Sequence, residues 1–265
     1  MEKNITLSLS HLFVDVLKGK NILHDVSIIF EAGKTHVIMG PNGSGKSTLA
    51  HALMGSLEYA VKGKILFGKK DITRIPASDR AKLGIFLAFQ SPIAISGVSV
   101  INLLRTAYQE LHPDNKKIDT KIQNPVLASR WKSSDMTLSD LLKAINRYAA
   151  LLHIDPLLLT RSIHEGFSGG ERKKIEVLQA LVLQPKFAIF DEIDTGLDVD
   201  ALQIVATGID LLRKNGTGCI IITHYQRLLK YLQPDTVVVI KNGSVSKTGD
   251  AALAKEIETK GYGYS

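Results

Sequence analysis

A nine-residue glycine-rich string at positions 40–48, GPNGSGKST, constrains this chain more than any other feature of its sequence. The apolar run Thr35–Met39 before it is typical of a buried strand, and a helical pattern through Met54 follows it. Glycines let a backbone curl until successive N–H groups point inward, and a helix N-terminus adds a favourable dipole. The string fits the phosphate-binding pattern G-x-x-x-x-G-K-[ST] in its expected strand–loop–helix setting, which disfavours a glycine-rich turn with a chance lysine.

Four positions receive chemical roles, two within this string and two after a later apolar run. Lys46 should reach the β- and γ-phosphates of a nucleotide, and Ser47 should ligate Mg²⁺. A second apolar run, residues 187–190, ends in Asp191 and Glu192 at the sheet edge where ligands of α/β proteins bind. Asp191 should hold the Mg²⁺ shell, and Glu192 should polarise the attacking water as a general base. Because many strands end in Asp at a turn, the pair alone would be weak evidence for a metal site. Its presence in a chain with a phosphate-binding loop makes the evidence strong.

Residues 167–171, FSGGE, precede an apolar-periodic helix. Ser168 and Glu171 have the S-x-x-E spacing of a capping box, which explains both of them but not the glycines Gly169 and Gly170. Two glycines at a helix start allow a phosphate to approach the backbone closely. Capping and anion binding can coexist, because both use the N–H groups of the first helical turn.

Two further polar residues lie at strand ends or loop junctions. His224 follows the apolar run 219–223 and either caps that strand toward solvent or donates to a γ-phosphate and orients the attacking water. Gln90 is either a simple loop glutamine or a donor of a side-chain oxygen to Mg²⁺ or its water. The position of both residues among the other motifs favours the catalytic interpretation.

The remaining patterns predict the organisation of an α/β protein. Residues 5–16 and 22–30 alternate as an antiparallel strand pair, and helices between the later apolar runs imply a parallel sheet. Residues 91–165 carry apolar side chains at helical spacing and predict an inserted helical subdomain. Within them, the polar stretch 112–135 predicts an exposed connection. Asn242-Gly243, between two apolar runs, predicts a hairpin with a type I′ turn.

Composition excludes several classes of site and protein. The single cysteine among 265 residues, Cys219, excludes an internal disulfide and a Cys₄ metal or cluster site built by one copy. No run approaches eighteen apolar residues, and the N-terminus has neither a secretory nor a transit pattern, so we expect a soluble protein of a reducing compartment. The net charge of +7 fits phosphate ligands, nucleic acid or an acidic partner, and equally a lysine-biased surface.

In this order, the motifs resemble those of the ATP-binding cassette (ABC) ATPases across nearly the whole chain. The resemblance implies a P-loop ABC fold with a RecA-like parallel sheet core, an antiparallel β subdomain and an inserted helical subdomain (about 91–165). It implies one domain over residues 1–265 with a C-terminal hairpin and tail (about 236–265). It also implies hydrolysis of ATP with Mg²⁺ by two copies of the chain, since the signature of one cassette completes the ATP site of another.

The resemblance assigns each motif to a named site. Glu192, His224 and Lys46 are catalytic, and Ser47, Gln90 and Asp191 serve the metal. The nucleotide-binding residues are those of Walker A (Gly40, Pro41, Asn42, Gly43, Ser44, Gly45, Lys46, Ser47, Thr48), the Q-loop Gln90 and the signature (Ser168, Gly169, Gly170).

Longer strings are similar to the SufC branch of this family, the ATPases of the SUF iron–sulfur cluster assembly system. They cover residues 160–174, 191–202 and 222–229, and Asp194 stands where transporter cassettes carry proline. This similarity implies a cytoplasmic protein with soluble SufB and SufD partners, docked near residues 90–100, without nucleic acid or direct membrane insertion. The alternatives are the nucleotide-binding subunit of an ABC membrane transporter and a nucleic-acid-linked ABC protein.

One departure concerns the base of the nucleotide. Many cassettes stack adenine on an aromatic ring in the first strand region, where this chain has Val16, with Phe13 three residues earlier. We therefore expect an aliphatic contact with adenine.

Overall fold

The computed structural model describes residues 5–17, 19–112, 137–223 and 227–263. Two predicted features lie outside these ranges: His224, and most of the polar stretch 112–135. The described chain forms two sheets and eight α-helices. The strands are β1 (Thr6–Val16), β2 (Asn21–Glu31), β3 (Thr35–Met39), β4 (Tyr59–Phe67), β5 (Lys70–Asp71), β6 (Ile85–Ala88), β7 (Phe187–Asp191), β8 (Gly218–Ile222), β9 (Thr236–Lys241) and β10 (Ser244–Gly249).

The first sheet is antiparallel, with strand order β2-β1-β4-β5. Its strands alternate between buried and exposed side chains, so one face packs on the core and the other meets water. The predicted antiparallel pair is confirmed as β1 and β2, paired from Thr6 opposite Glu31. The third strand of this sheet, β4, pairs with β1 on the side opposite β2.

The second sheet has the order β10-β9-β3-β8-β7-β6, and every pair except β10 with β9 is parallel. All residues of β3, β7 and β8 are buried, because both faces of these strands are covered. Val37 and Met39 of β3 face a core shared with helices, whereas Ile38 faces the antiparallel sheet. The parallel α/β core is therefore as predicted, with β3 in its interior.

Helices surround this sheet. They are α1 (Lys46–Met54), α2 (Ala77–Lys82), α3 (Val100–Leu111), α4 (Leu138–Leu151), α5 (Pro156–Thr160), α6 (Gly169–Leu183), α7 (Val199–Lys214) and α8 (Ala251–Lys260). The helices α3 and α4 pack against α6. The first helix of the predicted helical region begins at Val100, because Ser99 caps it by accepting from the N–H of Asn102. None of the helices in the described ranges combines the length and apolar character that crossing a membrane requires.

The C-terminal part begins with the predicted hairpin of β9 and β10. Asn242 and Gly243 have φ values of 49° and 78°, and a type I′ turn requires positive φ at both central positions. Because β9 is parallel to β3, the turn lies at the same sheet edge as the glycine-rich loop. Helix α8 follows and packs on the hairpin.

Candidate functional site

The glycine-rich loop leaves β3 and enters α1 through positions that exclude a side chain. A Cβ atom on Gly40 would lie 2.2 Å from the carbonyl oxygen of Ile240, and one on Gly45 would lie 2.5 Å from Leu23. Gly45 has a φ of 102°, forms the N-cap of α1 and makes no side-chain capping hydrogen bond. The N–H groups of the first turn are therefore not used by a cap, which suits an anion.

Lys46 arches back over this loop. Its Nζ atom donates to the carbonyl oxygens of Gly40 and Pro41 at 2.8 and 3.0 Å. Burial lowers the pKa of Lys46, while the carboxylates of Glu192 and Asp191 raise it. Without a nucleotide, two neutral carbonyl groups of the loop hold the ammonium group of Lys46 in place. A phosphate oxygen would give this ammonium group a charged partner instead.

Ser47 and Asp191 meet at the end of β7, although 144 residues separate them. The Ser47 hydroxyl donates to Oδ1 of Asp191 at 3.2 Å. Asp191 is 1% exposed, and its Oδ2 atom accepts no hydrogen bond from the described residues. Burial is the main cause that raises the pKa of Asp191, and the Ser47 hydrogen bond lowers it. A hydroxyl beside a buried carboxylate with an unused oxygen fits a Mg²⁺ ion, which prefers oxygen ligands.

Glu192 is held by the predicted Q-loop glutamine. The Gln90 Nε2 atom donates to Oε2 of Glu192 at 2.7 Å, and Thr195 approaches the same oxygen at 3.4 Å. Glu192 has a φ of 48°, and its N–H donates to the carbonyl oxygen of Ile222 in β8. A non-glycine residue in this left-handed region costs free energy that the surrounding contacts must offset, and such residues cluster at functional sites as well as at turns and caps. The structure thus joins the proposed base and the glutamine in one contact.

Lys173 of α6 is a residue that the sequence reasoning missed. Its Nζ atom donates to the main-chain oxygen of Gln90 at 2.8 Å, and the residue is 6% exposed. Burial lowers the pKa of Lys173 most strongly, and nearby carboxylates, first that of Glu176, raise it. A signal was present: Lys173, Glu176, Val177 and Ala180 have i, i+3, i+4, i+7 spacing and are all buried.

The signature residues form the start of α6. Ser168 and Glu171 make the predicted capping box, since each side chain bonds the backbone N–H of the other at 3.2 and 2.7 Å. A Cβ atom on Gly169 would meet nothing within 4 Å, and one on Gly170 would meet only ordinary contacts. Packing within one chain therefore does not demand these glycines, and they leave open space above the helix start.

A pocket of about 580 Å³ lies over the glycine-rich loop. Gln90 and Glu192 line the end next to the contact between Ser47 and Asp191. The other end, where Ile22 approaches Gly45 and the turn after Asn242 is bonded to Ser44, is lined by Lys20, Asn21, Ile22 and Asn242. Within the described part of the chain, neither Val16 nor Phe13 lines this pocket, and neither does Ser168, Gly169 or Gly170. One chain thus brings together Walker A, Walker B and Gln90 but not the signature.

Asp194 follows Glu192 by two residues and is buried. It is 4% exposed and accepts a hydrogen bond of 2.7 Å from the Thr223 hydroxyl, just beyond the end of β8. The predicted strand 219–223 ends one residue earlier, at Ile222. Cys219 of β8 is buried, and burial raises the pKa of its thiol to about 12. Such a thiol stays protonated at neutral pH, so it is a poor metal ligand.

Comparisons with known proteins agree with this geometry. The ABC transporter family model matches residues 23–195. "Vegetative protein 296" of Bacillus subtilis (strain 168) is 42% identical over 97% of this chain and 92% of its own. "Probable ATP-dependent transporter ycf16" of Cyanophora paradoxa is 43% identical over 98% and 95%. The crystal structure of the ADP conformation of MJ1267, an ATP-binding cassette of an ABC transporter, is similar with a TM-score of 0.71 and 25% identity, covering 97% of this chain and 96% of that one.

Proposed function

Since this chain belongs to the ABC transporter family, as an ATPase that binds ATP with Mg²⁺, we propose that it is the ATP-hydrolysing subunit of the SUF iron–sulfur cluster assembly scaffold. Its partners in this proposal are soluble SufB- and SufD-like subunits in the cytoplasm, without nucleic acid and without direct membrane insertion. We also propose that residues 1–265 form one ABC ATPase domain, with a helical subdomain at about 91–165 and a hairpin and tail at about 236–265.

The observation that carries this proposal is Asp194 within the string 191–202. Transporter cassettes usually have proline at this position, whereas the SufC branch resembles this chain here. The carboxylate of Asp194 is buried and bonded to Thr223, which immediately precedes His224. Asp194 therefore supports the strand end from which the proposed switch histidine follows. The buried Cys219 is consistent with partners that hold the cluster, because its pKa of about 12 disfavours a thiolate.

We assign the chemistry to two copies of the chain. Walker A of one copy would hold the triphosphate, and Ser168, Gly169 and Gly170 of the other would cover it with the N–H groups of α6. Mg²⁺ supplies positive charge next to the β- and γ-phosphates when it is bound, with Ser47, Asp191 and the Gln90 side-chain oxygen as its candidate protein ligands. Glu192 would polarise the attacking water, and His224 would donate to the γ-phosphate.

The contact between Gln90 and Glu192 gives a route from hydrolysis to a partner. Gln90 lies within an exposed apolar segment, residues 89–95, in which Ile93 is 84% exposed and Phe89 and Ile95 are each 45% exposed. Exposed apolar side chains clustered in one short segment mark interaction surfaces. Movement of Gln90 away from Glu192 would displace this segment, so we place the SufB–SufD contact on it.

The test is to replace Ile93 by Asp and to identify the chains that co-purify, with and without ATP. Ile29→Asp is the matched control, because Ile29 is a 63% exposed isoleucine on β2, far from the apolar segment in sequence. We expect Ile93→Asp to lose soluble SufB- and SufD-like partners and Ile29→Asp to keep them. Retention of these partners by Ile93→Asp would refute the docking surface.

A nucleotide-binding subunit of a membrane transporter remains the second candidate. It is favoured by the printed names of relatives, such as "Probable ABC transporter ATP-binding protein" from Streptococcus pyogenes, 41% identical over 97% of this chain. The same purification separates the two functions. Membrane-embedded partners in place of soluble ones would support the transporter and contradict the SUF proposal.

A further inference from the structure

The far end of the nucleotide pocket is formed by residues that no motif explains. Lys20, Asn21 and Ile22 come from the start of β2, and Asn242 comes from the turn between β9 and β10. With Glu192 in its proposed role of general base, a triphosphate on the glycine-rich loop would have its last phosphate toward Glu192 at the opposite end. The residues of the far end therefore face the nucleoside of a bound nucleotide.

The turn that carries Asn242 is fastened to its surroundings on both sides. The N–H of Gly243 donates to the carbonyl oxygen of Ser44 at 3.1 Å, and the N–H of His24 donates to the carbonyl oxygen of Gly243 at 2.8 Å. A Cβ atom on Gly243 would lie 2.1 Å from the carbonyl oxygen of Ile22. The turn is thus held between Walker A and β2, and the exposed side chain of Asn242 is placed at the pocket wall.

This wall is polar. Among the described residues that line the pocket, no aromatic ring is available to stack on a base, and Ile22 supplies the apolar surface of the far end. Stacking on an aromatic ring binds any base, and without such a ring hydrogen bonds remain to recognise the nucleoside. An asparagine amide offers two N–H donors and a carbonyl acceptor, which match ribose hydroxyls and the edge of a purine.

We propose that the side-chain amide of Asn242 hydrogen-bonds the nucleoside of ATP and is a specificity-determining residue of this ATPase. Lys20 lies in the same wall. The inference rests on ATP binding and on the proposed role of Glu192, and it is independent of the partner that the ATPase serves.

A purely structural role is the competing explanation, since asparagine is also favoured in type I′ turns. Asn242→Gly separates the two, because glycine keeps the positive φ of 49° without strain and removes only the amide. Gln184→Gly is the matched control: Gln184 is an amide residue with a φ of 48° at the C-cap of α6, and it does not line the pocket.

The experiment measures the dissociation constants of ATP and of inorganic tripolyphosphate, which has no nucleoside. We expect Asn242→Gly to weaken ATP about 2- to 10-fold, as for one lost hydrogen bond, and to leave tripolyphosphate unchanged. In steady-state hydrolysis KM for ATP should rise while kcat is retained, and Gln184→Gly should change neither ligand. Unchanged ATP affinity, or equal weakening of both ligands, would overturn the proposal.

Discussion

Asp191 shows how one residue combines a stability cost with a functional role. Its carboxylate is buried beside Ser47 and Glu192, and burial raises its pKa above the ordinary value of an aspartate. Because the pKa is higher in the folded state than in the unfolded chain, ionisation of Asp191 opposes folding at pH values above the ordinary pKa of an aspartate. The charge that we propose as a Mg²⁺ ligand therefore destabilises the protein without ligand.

The expected result of Asp191→Asn follows from this cost. The variant keeps the oxygen that accepts from Ser47 but carries no charge, so the ligand-free protein should have a higher Tm at neutral pH. ATP hydrolysis should fall by about 100-fold or more, because the Mg²⁺ charge loses its partner. Calorimetry without nucleotide and an ATPase assay check the two parts. A lower Tm combined with full activity would contradict both.

The sequence predicted some site residues and missed others for a physical reason. Ser47, Asp191 and Gln90 belong to patterns whose chemistry requires those residue types. The structure places Ser47 and Gln90 in the pocket wall, and it places Asp191 in a hydrogen bond with Ser47. Lys173 and Asn242 were missed because their roles arise from tertiary contacts, although the helical spacing of Lys173 with Glu176 and Val177 was a signal for its burial. A lysine within ERKK is usually solvated, and an Asn-Gly pair already has a complete explanation as a turn.

At the scale of elements, the signature residues form the N-terminus of a helix, α6. Both α4 and α6 begin with a capping box, formed by Thr137 with Asp140 and by Ser168 with Glu171. The same kind of capping box therefore stabilises the first turn of each helix. Of these two helices, α6 has two glycines in that turn, with open space above them. Thr137 can therefore serve as a control for Ser168, because both residues cap a helix but only Ser168 is proposed to contact ATP.

We expect Ser168→Ala and Thr137→Ala each to reduce the free energy of unfolding by about 1 kcal/mol, because each loses one cap. Only Ser168→Ala should lower the ATPase rate, by about tenfold or more, since its hydroxyl and the adjacent N–H groups would face a phosphate. Chemical denaturation and steady-state hydrolysis provide the two measurements. Equal activity of the two variants would restrict Ser168 to capping.

Strands were easier to predict than helix boundaries. Buried parallel strands such as β3 and β7 are continuous apolar runs, and the hairpin was marked by Asn242 and Gly243. The helical region, predicted from residue 91, begins at Val100 because Ser99 caps the helix after a segment containing Pro92 and Gly97. Apolar spacing alone does not reveal that the residues before the cap are an exposed loop.

At the scale of the molecule, two cores meet on opposite faces of the parallel sheet. One lies between the sheet and the helices α3 to α7, and the other lies between the sheet, α1 and the antiparallel strands. Walker A and Walker B lie at one edge of this sheet, whereas the signature starts a helix that does not line their pocket. Within one chain the architecture thus keeps the pocket of Walker A apart from the signature that we propose as the other half of an ATP site.

The central claim is that two chains share each site, and mixing two inactive variants tests it most directly. Lys46→Ala removes the Walker A ammonium, and Ser168→Arg blocks the signature. Each variant alone can form no complete site, but a mixed pair has one intact Walker A facing one intact signature. We predict that each variant is nearly inactive and that mixing them restores a substantial fraction of wild-type ATP hydrolysis. Full activity of Ser168→Arg alone, or no recovery in a mixture shown to contain mixed dimers, would contradict the shared site.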